Sequence, residues 1–253
     1  MRFSANLGFL WADRPLPDAI RAAKAAGFDA VECHWPYAHD PLDVKAALDE
    51  TGLEMLGLNT SRGDVAAGEN GLAALPNREA EARAAIDQAL DYAHIIGAGA
   101  VHVMAGFASG ATAHKTFVAN LRYATTQAAE KGITILIEPL NHYDAKGYFL
   151  STTAQAVAII EEVKAPNLRL MFDCYHVQLM EGDLTNRLSR LLPVIGHIQF
   201  ASVPDRGTPD HGEVNYGHIF SHIDSLGWAR PIGAEYKPKI ETDLTLDWMA
   251  QFR

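Results

Sequence analysis

The stretch ILIEPLNHYD, residues 135–144, runs three apolar residues into Glu138 and is then stopped by Pro139. A strand covered along its length has no packing use for a carboxylate, so Glu138 points to chemistry at the strand's end. The pattern recurs. Asp173 closes LRLMFD, Gln199 lies near the end of IGHIQF, and Glu235 near the end of the strand in IGAEYKP. Four successive strands each bring one oxygen donor to the same relative position. Adjacent strand ends stand ~4.8 Å apart, so inward side chains from four neighbours can meet at one point. Three carboxylates meeting without a counter-charge would repel one another and be costly to desolvate. A divalent cation removes the conflict. An all-oxygen set suits Mg²⁺ or Mn²⁺, whereas zinc prefers His and Cys. Taken singly, each residue reads as a helix N-cap or a salt-bridge partner; the repetition carries the metal reading. His176, three residues beyond Asp173 in FDCYH, can reach back over the same mouth.

These strand ends belong to a longer alternation. RFSANLG, FDAVECH, LEMLGLN, AGAVHVMAG, ITILIE, NLRLMFD, IGHIQF and PIGAEY read as strands. Between them lie helical patterns with apolar spacing of three and four, as in Ala19, Ala22, Ala23 and Ala26. Many of these helices stop at glycine, which supplies a left-handed C-cap without a Cβ penalty. The strands are short and mostly apolar, as strands covered on both faces must be. Eight such units and no linker-like break predict one α/β domain over residues 1–253, a (β/α)8 TIM barrel. The alternative, a doubly wound open sheet, lacks a GxGxxG after its first strand. Two long connections, TSRGDVAAGENGLAALPNRE and ASVPDRGTPDHGEVN, both follow strands. Both are therefore expected on the face where barrel enzymes carry their sites.

Composition narrows the classes. The 253 residues are 48% hydrophobic and 21% charged, with a formal net charge of −10. Scattered Lys and Arg and a negative field argue against nucleic acid as a partner. No apolar run approaches the ~20 residues of a membrane span, so no membrane partner is expected. The N-terminal stretch lacks a signal-peptide pattern, and the cytoplasm is the expected location. Cys33 and Cys174 form no CxxC motif and read as buried thiols.

Six stretches together resemble the hydroxypyruvate isomerase and 2-oxo-tetronate isomerase family of xylose-isomerase-like TIM barrels. They are RFSANL, GDVAAGENGLAALPNRE, LIEPLNHYD, FDCYHVQLMEGDLT, GHIQFASVPDRGTPDHGEVNY and GAEYKP, spread over nearly the whole chain. The resemblance implies that Glu138 and Glu235 form an acid/base pair. It also implies that these two, with Asp173 and Gln199, hold the divalent metal, and that His176 and Arg206 contact substrate. One loop departs from the family: Ser61, Arg62 and Val65 surround a Gly-Asp usually flanked by proline and tryptophan. That departure bears on substrate identity. Association with identical copies is left open.

The implied reaction isomerises a small 2-oxo acid, such as hydroxypyruvate to tartronate semialdehyde, through an enediolate. The substrate carboxylate needs a cationic group. Arg206 is the first candidate, with Arg62 and Lys237 behind it. A 2-oxo-tetronate isomerase or a ketose epimerase on the same scaffold is the alternative. A metal-dependent apurinic endonuclease and a non-catalytic sugar-acid binding protein are more distant. His102 reads as a satisfied core histidine, and Trp35 and Tyr37 as an apolar wall or as core.

Overall fold

Alternation of short apolar strands with amphipathic helices produces a wholly parallel sheet wrapped in helices. The computed structural model describes residues 1–252. The strands are β1 (Phe3–Asn6), β2 (Ala30–Glu32), β3 (Glu54–Met55), β4 (Leu58–Asn59), β5 (Ala100–His102), β6 (Thr134–Ile137), β7 (Leu168–Asp173), β8 (Ile195–Phe200) and β9 (Ile232–Ala234). The helices are α1 (Leu16–Ala25), α2 (Pro41–Thr51), α3 (Glu79–Ile96), α4 (Gly110–Glu130), α5 (Thr153–Val163), α6 (Cys174–Met180), α7 (Leu184–Leu191), α8 (Tyr216–Ser225) and α9 (Trp248–Phe252).

The strand order is β3-β2-β1-β9-β8-β7-β6-β5-β4. Both edges of this nine-stranded sheet come from one segment, residues 54–59, interrupted only at Leu56 and Gly57. That segment is tied on both sides. Leu56 N–H donates to Val31 O at 2.7 Å, and Thr60 N–H donates to His102 O at 2.9 Å. The third strand expected from sequence is thus two short pieces. The expected fifth to eighth strands are β6 to β9.

Two other elements differ from the sequence expectation. The residues after Asp173 coil at once into α6, because the Asp173 side chain caps it: Oδ1 accepts from Tyr175 N–H at 2.8 Å. The C-terminal segment, where an eighth β/α unit calls for a helix, is split into a 3-10 turn at Thr242–Thr245 and the short α9. There Thr242 and Asp243 are held by Trp11, through Trp11 N–H to Thr242 Oγ1 and Trp11 Nε1 to Asp243 Oδ1. These tertiary bonds outweigh local helix propensity.

The core lies mainly between sheet and helices. Phe3, Phe200, Phe220 and Trp248 pack edge-to-face, with ring centroids 4.8–5.8 Å apart. Inside the curve of the sheet, Ala100, Leu136 and Met171 form a small separate apolar cluster. Polar residues take over at the C-terminal strand ends. In register, Asn6 pairs with Glu32, Asn59 with His102, and Asp173 with Gln199. No described helix is long and apolar enough to cross a membrane.

Candidate active site

The ends of β6 to β9 carry Glu138, Asp173, Gln199 and Glu235, all at most 6% exposed. Ligand atoms of Glu138, Asp173, His176 and Glu235 lie within 4.8 Å of one another. The structure thus brings Glu138, Asp173, His176 and Glu235 together, and Gln199 stands beside Asp173 in strand register. Glu138, His176 and Glu235 line a cavity of about 190 Å³ together with Phe9, Trp35, Arg206 and Lys237, whereas Gln199 faces a separate small pocket with Glu32 and His197.

The oxygens differ in what they already bind. Glu138 Oε1, Asp173 Oδ2 and Gln199 Oε1 are buried and have no hydrogen-bond partner among the described residues. Buried polar atoms are nearly always paired, because an unpaired one costs about 1–3 kcal/mol. Three such oxygens on three adjacent strands have the donor chemistry of a site for a hard divalent cation. The residues present fit that group. Asp173 serves two ends at once: Oδ1 caps α6 while Oδ2 remains free.

Gln199 is oriented from across the sheet. Its Nε2 donates to Glu32 Oε1 at 2.7 Å, which turns its Oε1 the other way. Glu32 Oε2 takes a further bond from His197 Nε2 at 2.6 Å. Glycine at position 233 makes room, since a Cβ there would lie 2.6 Å from Glu32 Oε2 and 2.9 Å from Gln199 Cγ.

Glu235 is fully engaged. Oε1 receives His34 Nε2 at 2.8 Å and Asn6 Nδ2 at 3.1 Å, and Oε2 receives Arg206 Nη2 at 2.6 Å. Arg206 also reaches Asp144 Oδ2 from Nη1 at 3.2 Å. Its backbone φ of 54° is left-handed, which is uncommon for a non-glycine residue. Ser202 O and Lys237 N–H hold it there, accepting from Arg206 N and donating to Arg206 O.

Electrostatics follow the same division. Burial, with Glu235 and Asp173 nearby, holds the Glu138 carboxyl well above its ordinary pKa, and burial with Glu235 raises Asp173 as well. Burial also works against the Glu235 carboxylate. There Arg206 and His34 outweigh it and keep the pKa below the usual range. Burial pushes His102 down to about 4 and His176 to about 3, so both rings are neutral near pH 7.

His176 stands among the carboxylates, with Nε2 3.5 Å from Asp173 Oδ2 and 3.8 Å from Glu138 Oε1. Its Nδ1 accepts from Asn141 N–H at 3.0 Å, so in the neutral ring Nε2 bears the proton. That makes His176 a donor toward the cavity rather than a metal ligand. His102 corrects a sequence reading. Among the described residues neither ring nitrogen has a hydrogen-bond partner, Nδ1 is 3.6 Å from Glu138 Oε2, and the ring lines the cavity. Trp35 lines it too, whereas Tyr37 is turned to Asn59 O and Tyr92. His142, four residues after Glu138, is exposed and contacts Met180.

Sequence reasoning missed Asn6, Glu32 and His34. Glu32 closes an apolar strand just as Glu138 follows one, and Asn6 closes β1. A uniform search for polar residues at apolar strand ends would have found both. His34 lies beyond its strand and carries no such signal.

Residues 20–252 match the model of a family described as xylose isomerase-like TIM barrel. The chain is 46% identical to the 2-oxo-tetronate isomerase of Cupriavidus necator, over 99% of this chain and 98% of that one. It is 39% identical to the hydroxypyruvate isomerase of Escherichia coli K12, with both chains covered in full. A crystal structure described as AP endonuclease, family 2, from Brucella melitensis superposes with a TM-score of 0.95 at 39% identity, covering 100% of this chain and 99% of that one.

Proposed function

The chain belongs to the xylose isomerase-like TIM-barrel family, in the branch named for hydroxypyruvate and 2-oxo-tetronate isomerases, and we propose that it interconverts a small 2-oxo acid and its hydroxy-aldehyde isomer. Hydroxypyruvate and tartronate semialdehyde are the proposed pair, with a 2-oxo-tetronate as the alternative substrate. With β3 and β4 read as two pieces of one strand, the sheet becomes an eight-unit (β/α)8 barrel, and residues 1–253 form one catalytic domain.

The observation that carries the proposal is the trio of unpartnered buried oxygens, Glu138 Oε1, Asp173 Oδ2 and Gln199 Oε1, beside the engaged Glu235. Glu138, Asp173, Gln199 and Glu235 would hold one Mg²⁺ or Mn²⁺. Such a cation, when bound, polarises the substrate carbonyl and acidifies the neighbouring C–H. Glu138 and Glu235 exchange the carbon-bound proton between adjacent carbons, and general acid/base transfer of this kind is worth ~10²–10⁴ in rate. Arg206 and His34 keep Glu235 ionised and ready to accept a proton. His176 Nε2 and Arg206 touch the substrate, and His176 donates a hydrogen bond to one of its oxygens. The tight cavity, about 190 Å³, favours a substrate of a few carbons.

A nuclease is the second reading, because the Brucella structure carries that description. Against it, the proposed ligands Glu138, Asp173, Gln199 and Glu235 are all oxygen donors and the chain is strongly acidic. Product analysis by NMR in D₂O decides the matter. Hydroxypyruvate, 2-oxo-tetronates and ketohexoses are supplied in turn, alongside a cleavage assay on abasic-site DNA. Isomerisation of a 2-oxo acid with deuterium entering at carbon is expected. Turnover of ketohexoses alone, or cleavage of the DNA, would overturn the assignment.

A further inference from the structure

The proposed substrate carries a permanent negative charge into a cavity already rich in carboxylates. Glu138, Glu235 and Asp144 line it, and Asp173 lies directly against Glu138 and Glu235. Arg206 and a divalent cation together compensate three of these four. An anionic substrate therefore enters against an uncompensated charge unless another cation meets it.

Arg206 lines the cavity and has an Nε–H without a partner among the described residues, but its charge is already committed to protein carboxylates. Nη1 is given to Asp144 and Nη2 to Glu235, so both ends of its fork already grip protein carboxylates. Arg62 stacks flat on Trp35, with its guanidinium 3.8 Å from the ring centroid, and does not line the cavity. Lys237 is different. It lines the cavity two residues beyond Glu235, with its ammonium 5.4 Å from the centroid of the Phe9 ring. Its backbone N–H donates to Arg206 O at 2.7 Å, which fixes the strand end that carries it. Among the described residues its ammonium makes no salt bridge, though its charge is felt at Asp144, whereas Lys239, two positions on, is bound to Asp205 at 2.7 Å.

We propose that Lys237 is the specificity-determining cation that engages the substrate carboxylate at the mouth of the cavity. The ammonium is a mobile point charge on a flexible stem. It can meet the carboxylate outside the crowded floor, leaving the carbonyl and hydroxyl to face Glu138 and Glu235. Arg206 then acts mainly by balancing Glu235 and Asp144, and Lys237 distinguishes an acid from a neutral ketose. This inference rests on the 2-oxo acid reading above.

The test compares charged and neutral ligands of similar size in wild type, Lys237→Met and Lys237→Arg. Hydroxypyruvate and dihydroxyacetone serve as substrates. Pyruvate keeps the carbonyl and carboxylate but has no hydroxyl to isomerise, so it serves as a binding probe by calorimetry. Lys237→Met should raise KM for hydroxypyruvate and Kd for pyruvate about tenfold, a modest charged contact near solvent. Its kcat should change little, and Lys237→Arg should recover most of the loss. Dihydroxyacetone should be almost unaffected. Equal losses for charged and neutral ligands would overturn the inference, as would a loss in Arg62→Ala without one in Lys237→Met. Wild type that turns over no 2-oxo acid, yet binds pyruvate through Lys237, would sink the functional reading and leave this inference standing.

Discussion

On the β6–β8 side of the site, three buried oxygens have no hydrogen-bond partner among the described residues; on the β9 side, both oxygens of Glu235 accept hydrogen bonds, from Arg206, His34 and Asn6. Glu138 and Glu235 look alike in sequence, each directly following a short apolar strand. Their surroundings push them in opposite directions. Burial and neighbouring carboxylates raise Glu138, whereas Arg206 and His34 overcome burial at Glu235 and lower it. The difference teaches which half of the site is complete in protein alone. The Glu235 side is balanced by fixed side chains. The Glu138 side has the unmet charge and the free lone pairs that a cation would satisfy.

Metal removal should produce the largest effect and bear directly on this division. EDTA is expected to abolish isomerisation, and Mg²⁺ or Mn²⁺ to restore it. Full activity in stripped protein would mean that the unpartnered oxygens serve something else.

The two glutamates sharpen the comparison next. Glu138→Gln and Glu235→Gln should each lower kcat by ~10²–10⁴. Their stabilities without metal should diverge. Glu138→Gln removes an unpaired buried carboxylate and should stabilise the metal-free fold by about 1 kcal/mol. Glu235→Gln takes the ionised partner from buried Arg206 and should destabilise it by about 1–3 kcal/mol. Denaturation curves that shift the same way for both would erase the distinction.

A smaller effect tests the support behind the open side. Gly233→Ala places a Cβ against Glu32 and Gln199, so the amide that presents Gln199 Oε1 must move. Metal affinity, titrated by calorimetry, should fall ~10–100-fold, the range for lost outer-sphere support. Unchanged affinity would show that Gln199 is not a ligand.

The smallest effect concerns the loop that carries Arg206. His211 is bound to Asp205, chiefly by a hydrogen bond that raises the His211 pKa above its ordinary 6.5. A raised histidine stabilises the fold fully below its unfolded value and loses that contribution as pH rises through its folded value. Wild type should therefore lose stability relative to His211→Asn as pH climbs from 6 to 8. The pair is half-exposed and screened, so about 0.5 kcal/mol is expected. A flat difference across that range would detach His211 from the loop's stability.

Much of this molecule is legible in the order of its residues. The alternation of strands and helices, and the glycines at Gly52 and Gly97 that end α2 and α3 in the left-handed conformation, are set within a few residues of each position. The acids and amide at successive strand ends are equally local, and they led to Glu138, Asp173, Gln199 and Glu235 before any geometry. What the tertiary structure alone decided is which atom of each is free. Gln199 is turned by Glu32, 167 positions away, and Glu235 is filled by Asn6, 229 positions away. Asp173 gives one oxygen to a helix cap and leaves the other beside Glu138 and His176. His102, a residue of apparent core, stands beside Glu138 without a hydrogen-bond partner among the described residues, while Arg206 is drawn into the carboxylates. Residue type and spacing state what a side chain can bind. Hydrogen-bond saturation and burial depend on strands brought side by side by the curvature of the sheet, and no local pattern encodes them.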